Sequence, residues 1–367
     1  MSLQIQIIPH TLQFKFNART SRGAMQQHQV YYLLVSDSKN SEQIGIGECA
    51  PLPGLSFEYH SGFNLELQRV IQYLNKKLRD ENINYLKSII NKEELKQLPA
   101  LNFALETACL DLARGGEKHL FTNQFTKGEW GIPINGLIWM GDKIFMQDQI
   151  RKKLQEGYTC LKLKIGGLDF DTELAIIKSI RQVASATDLI IRLDANGAFA
   201  PEEALTKLEK LAAWQIHSIE QPIRQSQLIA MQYLCQHSPL PIALDEELIG
   251  VVEKKDKEQL LDIIKPQFII LKPTLLGGFN ACSEWISLAK KASIDWWITS
   301  ALESNIGLNA ISQFTAEYPI KMEQGLGTGQ LYHNNISSPL MIKNGKLFYQ
   351  KNQSWNNSLF QVPGRAT

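Results

Sequence analysis

A chain of 367 residues, 44% apolar and 20% charged, can bury a full core, which excludes a disordered protein. Its 38 Lys and Arg nearly balance 37 Asp and Glu, so there is no basic field to collect nucleic acid and no polybasic run to hold an anionic membrane. The five cysteines, Cys49, Cys109, Cys160, Cys235 and Cys282, are scattered singly without a C-x-x-C pair, which argues against a disulfide framework and against structural zinc.

The first residues, MSLQIQIIPHTLQFKF, alternate like a strand and lack both a basic start before an apolar run and a small-residue cleavage site. No stretch nears the roughly 20 apolar residues that span a bilayer, so a cytoplasmic protein acting on a small molecule is expected. Strand-like segments at Leu12 to Phe16 and Val30 to Val35, followed by helical sequence from Asn64 to Arg114, suggest an α+β domain over residues 1–130. From Ile132 the pattern becomes short apolar runs ending in polar residues, each followed by an amphipathic stretch such as Pro201 to Trp214.

The polar strand ends recur at a regular step: Lys164 to Asp194 is 30 residues, to Glu220 26, to Asp245 25 and to Lys272 27. Eight apolar runs are candidate strands: IPINGLI, CLKLKIG, LIIRLDANG, HSIEQP, PIALDEE, FIILKPT, WWITS and IKMEQG. The fold class expected is therefore α/β, a (β/α)8-type barrel over residues 131–334 carrying the α+β cap, with its active site at the C-terminal strand ends. The tail, about 335–367, is expected to return to the cap.

In Cys160 to Ile165, alternation puts Leu161, Leu163 and Ile165 on one face and Lys162 and Lys164 on the other, pointing into the barrel. Two ammonium groups there are costly to desolvate, so they call for an anion or a function. Asp194, Glu220 and Asp245 each end a strand and would meet at the barrel mouth, where like charges repel unless a cation lies among them. Three hard oxygen ligands with room for water suit Mg²⁺, with Mn²⁺ able to substitute, and the absence of His or Cys beside them disfavours zinc. Lys272, at the end of the sixth run, would face Lys164 across the bound substrate. Taken singly, each acid also fits a helix cap or ion pair, and Lys272 also fits a structural lysine paired with a barrel acid.

This set suits removal of a proton alpha to a carboxylate. The resulting enediolate carries two charged oxygens that a divalent cation and ammonium groups stabilise. A free lysine near pKa 10.4 is protonated at neutral pH, and a neighbouring ammonium or cation pushes it down toward a usable base.

The succession K-x-K, D-x-N, E-Q-P, D-E and K-P at these strand ends resembles the muconate-lactonizing subgroup of the enolase superfamily, a superfamily whose use of a Lys or His base with Mg²⁺ is a standard example. GECAPLPGLSFE (Gly47 to Glu58) and ALETACLDLARGG (Ala104 to Gly116) resemble its cap. The TSRG loop (Thr20 to Gly23), PLPGLS (Pro51 to Ser56) and SALESNIGL (Ser300 to Leu308) are similar to a branch that dehydrates a cyclohexadiene carboxylate bearing a succinyl arm to an aromatic product. The resemblance implies Lys164 as base and as donor to the leaving hydroxyl, Lys162 and Lys272 on the enediolate, Asp194, Glu220 and Asp245 on Mg²⁺, and Asn196 near the substrate. Racemases and epimerases share this constellation. At the eighth run MEQGLGTG offers Glu323 alone where dipeptide epimerases carry Asp-x-Asp, so a racemase of N-succinylamino acids stays open, as does a non-catalytic barrel scaffold.

Ser300, Glu303 and Ser304 follow the buried run Trp296 to Ile298, where barrel loops carry specificity, so they are expected beside the substrate, although Ser304 also suits a helix cap. The loop Thr20 to Met25 is small, polar and contains Gly23. It is expected to close over the barrel mouth, with Arg22 either contacting a substrate carboxylate or fixing the closed loop.

Overall fold

The computed structural model describes residues 3–20, 23–37, 40–90 and 92–360. Strands β1 (Leu3–Thr20), β2 (Gly23–Asp37) and β3 (Asn40–Cys49) form an antiparallel sheet in that order. The unbroken apolar run of β2 has a simple cause, since both faces of the sheet are covered. Tyr31, Leu33 and Val35 pack under helices α1 (Phe63–Lys77), α2 (Ile83–Ile89), the short α3 (Glu93–Lys96) and α4 (Pro99–Ala113), while Val30, Tyr32 and Leu34 share a cluster with Tyr332 and Ile336 near the end of the chain. Helix α4 is buried almost all round, wedged between sheet and barrel. Gly45 and Gly47 of β3 make that approach possible: a Cβ at either would lie 2.0 Å from Ala108 O or 1.9 Å from Ala104 O.

Beyond β4 (Ile132–Pro133) the chain alternates strand and helix: β5 (Gly136–Ile138), α5 (Lys143–Gln155), β6 (Cys160–Lys164), α6 (Phe170–Val183), β7 (Ile190–Asp194), α7 (Pro201–Ala212) and β8 (Ser218–Glu220). It continues through α8 (Leu228–His237), β9 (Ile242–Leu244), α9 (Lys254–Ile264), β10 (Phe268–Leu271), α10 (Pro273–Leu276), α11 (Phe279–Lys291), β11 (Asp295–Ile298) and α12 (Asn305–Thr315). Asp142 and Asp169 cap α5 and α6 by accepting from Phe145 N and Thr172 N, and Pro201 opens α7. The strands from β5 to β11 are parallel neighbours in chain order, giving an α/β fold with a TIM-like barrel.

Seven of the eight expected strands form. The eighth run contributes only bridges: Asn135 N donates to Gln324 O at 3.0 Å on one edge of the sheet, and Gly325 N donates to Ile298 O at 2.9 Å on the other. A side chain takes the place of a longer ladder, because Gln324 Oε1 accepts the Ile298 N–H at 2.8 Å.

The end of the chain is divided. Strands β12 (Leu340–Lys343) and β13 (Lys346–Tyr349) form a hairpin through Asn344 and Gly345, both at positive φ as a tight turn requires, and β13 pairs with β4 beneath the barrel. Phe360 instead meets the cap, its ring 5.2 Å from Tyr32. Residues 331–334 bind β1, with Lys15 N donating to Leu331 O at 2.9 Å and Gln13 N to Asn334 Oδ1 at 2.8 Å. All five cysteines are free and buried. No helix among the described residues is long and apolar enough to cross a membrane.

Candidate active site

The side-chain alternation of β6 is as the sequence implies: Leu161 and Leu163 join the core between strands and helices, and Lys162 and Lys164 turn inward. Register brings their partners alongside, since Lys164 sits opposite Asp194 and Asp194 opposite Glu220 on adjacent strands. Asp245 and Lys272 follow directly on β9 and β10. All six charged groups are buried.

They interlock. Lys162 Nζ is 2.8 Å from Asp194 Oδ2 and also pairs with Glu220; Lys164 Nζ donates to Asp194 Oδ2 at 2.6 Å and to Asn196 Oδ1 at 2.8 Å. Lys272 pairs with Asp245 and lies 3.7 Å from Glu220 Oε1. The lysines differ in consequence. Burial pulls Lys162 and Lys272 down, but the acids around them outweigh it and hold both above the ordinary lysine value. For Lys164 burial wins: aided by the ammonium groups of Lys162 and Lys272, it leaves this lysine below its ordinary value despite Asp194.

Among the described residues no three acidic, His or Cys side chains stand ready-made around one point as a metal site, because the acid oxygens are turned onto the lysines. The donor chemistry nevertheless fits a hard divalent cation. Asp194, Glu220 and Asp245 end three consecutive strands, and neither oxygen of the buried Glu220 accepts a hydrogen bond of good geometry.

The three lysines and Asn196 open onto a cavity of about 400 Å³. Its walls are mixed: Leu52 and Leu55 from the cap and Leu137 and Trp139 from the barrel are apolar, while Ser300 and Thr328 are polar. Such a lining suits a ring with a few polar substituents. Gly23, Ala24 and Met25 reach the cavity; Arg22 lies outside the described residues.

Of the three residues expected after β11, only Ser300 lines the cavity. Glu303 and Ser304 are wholly buried and face other partners, a correction to that expectation. The Glu303 carboxylate accepts from Ser300 Oγ and Thr274 Oγ1 and from Ala301 N at 2.8 Å, bracing the loop behind the wall. Ser304 caps α12 and donates to Glu48 of the cap, from its backbone at 2.7 Å and its hydroxyl at 2.6 Å. The cause is a reversal at Leu302, whose φ of 68° is unusual for a branched residue and turns the following side chains away from the cavity.

Sequence reading missed several contributors. Gln221, at φ 40°, accepts from Asp245 N at 3.2 Å and so aligns one strand end with the next. Glu246 holds the Asn196 amide at 3.0 Å, which turns the Asn196 carbonyl toward Lys164. Asn135 Oδ1 and Thr299 Oγ1 are buried at the cavity without a hydrogen-bond partner. Only Gln221 and Glu246 had a signal, as the neighbours of metal-type acids in E-Q-P and D-E-E.

The model of the enolase C-terminal domain-like family matches residues 146–352. The chain is similar to an o-succinylbenzoate synthase of Desulfotalea psychrophila, 46% identical over 355 residues that cover 91% of this chain and 95% of that protein. A solved structure of MenC from Desulfotalea psychrophila superposes with a TM-score of 0.82 at 42% identity, covering 95% of this chain and 100% of the other. More distant is an N-succinylamino acid racemase of an Amycolatopsis species, 24% identical over 90% of this chain and 87% of the other.

Proposed function

The chain belongs to the enolase superfamily and, within it, to the o-succinylbenzoate synthases, and from that membership we infer that it dehydrates 2-succinyl-6-hydroxy-2,4-cyclohexadiene-1-carboxylate to o-succinylbenzoate, a hydro-lyase step of menaquinone biosynthesis. The observation that carries this reading is the 46% identity sustained over 95% of the synthase's length. The distant racemase likeness, at 24%, does not displace it.

The reading gives each side chain a task. Lys164 in its neutral form takes the proton alpha to the ring carboxylate, and the same ammonium returns a proton to the departing hydroxyl, which leaves as water on the same face. Lys162 and Lys272, both kept charged by their acid neighbours, stabilise the enediolate oxygens. Asn196 holds Lys164 in place. Asp194, Glu220 and Asp245 hold a divalent cation, Mg²⁺ or Mn²⁺ in its stead. When bound, the cation supplies positive charge beside the carboxylate oxygens and so acidifies the alpha carbon. The apolar walls exclude water, and Ser300 and Arg22 serve the succinyl arm.

The architecture in this reading is a modified (β/α)8 barrel, residues 131–334, with an α+β cap from residues 1–130 and the tail from about 335 divided between them. The protein works in the cytoplasm on a small carboxylate. The deciding experiment is an absorbance assay for the aromatic product with the purified protein. Turnover of N-succinylamino acids without aromatic product would instead favour the racemase.

A further inference from the structure

His28, on β2 of the cap, is 1% exposed and lies behind the cavity, not in it. Its Nδ1 is 3.0 Å from Leu302 O and its Nε2 3.4 Å from Pro51 O. These carbonyls belong to two loops that pack against each other as one wall of the cavity, Leu52 and Leu55 from the cap meeting Ala301 and Leu302 from the barrel. Leu302 needs holding, for it sits at φ 68°, with its N–H on Ser300 Oγ at 3.2 Å and its carbonyl also taken by Tyr332 Oη at 2.6 Å.

We propose that His28 is a positioning residue for the reaction: by donating from Nδ1 to Leu302 O it sets the wall formed by the two loops, and through that wall the affinity for substrate. This deepens the synthase reading and rests on it. Both ring partners are carbonyls, which only accept, whereas a neutral imidazole has one N–H to give. Burial favours the neutral ring. The shorter contact takes the hydrogen, so Leu302 is the anchored partner and the Pro51 contact is packing.

The ring can be replaced nitrogen by nitrogen. An Asn amide places its NH2 near the Nδ1 position, a Gln amide near the Nε2 position, and Phe fills the space with no donor. In full-length protein, His28→Phe and His28→Gln should raise KM for the succinyl substrate about tenfold with kcat within about twofold of wild type, while His28→Asn stays near wild type. Amide exchange over residues 300–304, measured without substrate, should quicken in the Phe and Gln variants and not in Asn. Should Phe fail to fold, the Asn and Gln pair still decides. An unchanged KM and exchange rate in Gln, or rescue by Gln but not Asn, would overturn the assignment. Wild-type protein with no turnover of the succinyl substrate would sink the synthase reading alone, leaving the exchange rates to judge His28.

Discussion

Lys162 and Lys164 converge on a single oxygen, Asp194 Oδ2, at 2.8 and 2.6 Å. Two residues apart on one strand, they share an acceptor yet shift in opposite directions, because Lys162 also pairs with Glu220 while Lys164 is completed by a neutral amide, that of Asn196.

That division predicts unequal consequences. Lys164→Ala should lower kcat by roughly three orders of magnitude or more with the fold retained, since proton transfer by a placed base contributes on the order of 10²–10⁴ and in the proposed reaction Lys164 would serve two steps. Lys164→Arg should not restore it, because guanidinium stays protonated. Steady-state kinetics with circular dichroism as the folding control settles this, and a Lys164→Ala enzyme within tenfold of wild type would refute the base.

Removing divalent ions should abolish turnover, and adding back Mg²⁺ or Mn²⁺ should restore it. Binding to the native state also raises the thermal midpoint, which gives a readout independent of catalysis. Mg²⁺ should raise Tm in the wild type and much less in Glu220→Gln, which lacks one anionic ligand. Full activity after exhaustive chelation counts against the assignment of Asp194, Glu220 and Asp245.

The two serines after β11 should separate. Ser300→Ala changes the cavity wall and should lower kcat/KM. Ser304→Ala removes a helix cap and a bond to buried Glu48, and should cost roughly 1–3 kcal/mol of stability with a smaller effect on kcat/KM. Urea unfolding alongside kinetics distinguishes them; equal losses of kcat/KM in both would contradict the placement.

The contribution of Glu106 and Glu58 to stability should fall as pH rises from about 5 to 8. Burial pushes Glu106 up to about 7 from 4.5, although Phe279 N and Asn280 N both donate to it, and burial does the same to Glu58. A carboxyl raised in the folded state favours folding below its unfolded pKa, and that contribution is lost as pH climbs through the folded value. The loss per group is roughly 1–3 kcal/mol. Glu106→Gln, neutral throughout, should flatten the slope of unfolding free energy against pH, and an unaltered slope would show that Glu106 does not titrate in this range.

The barrel and its charged ring were legible because strand alternation and the step between polar strand ends are local quantities. Lys162 and Lys164 could only share a face, and Asp194, Glu220 and Asp245 could only gather at one rim. The eighth strand was misread because apolar pattern cannot reveal that Gln324 substitutes its own amide for a ladder bond. Glu303 and Ser304 were misplaced because strand direction was extrapolated through Leu302, where the backbone turns. Glu48 and His28 carried no signal at all, since their partners lie 256 and 274 positions away.

Cap and barrel are tied by pairings between distant segments, Gln13 N and Asn334 Oδ1 being 321 positions apart. β1 receives the backbone of residues 331–334 and β4 receives β13, so neither pairing forms until segments far apart in sequence meet. Phe14, which lies against the Tyr332 ring at 4.6 Å, loses part of its cover when these residues are undocked. Loop closure over such spans is slow, and exposed apolar edges invite association. Folding that leaves residues 331–334 undocked therefore leaves an apolar edge of the cap open to association.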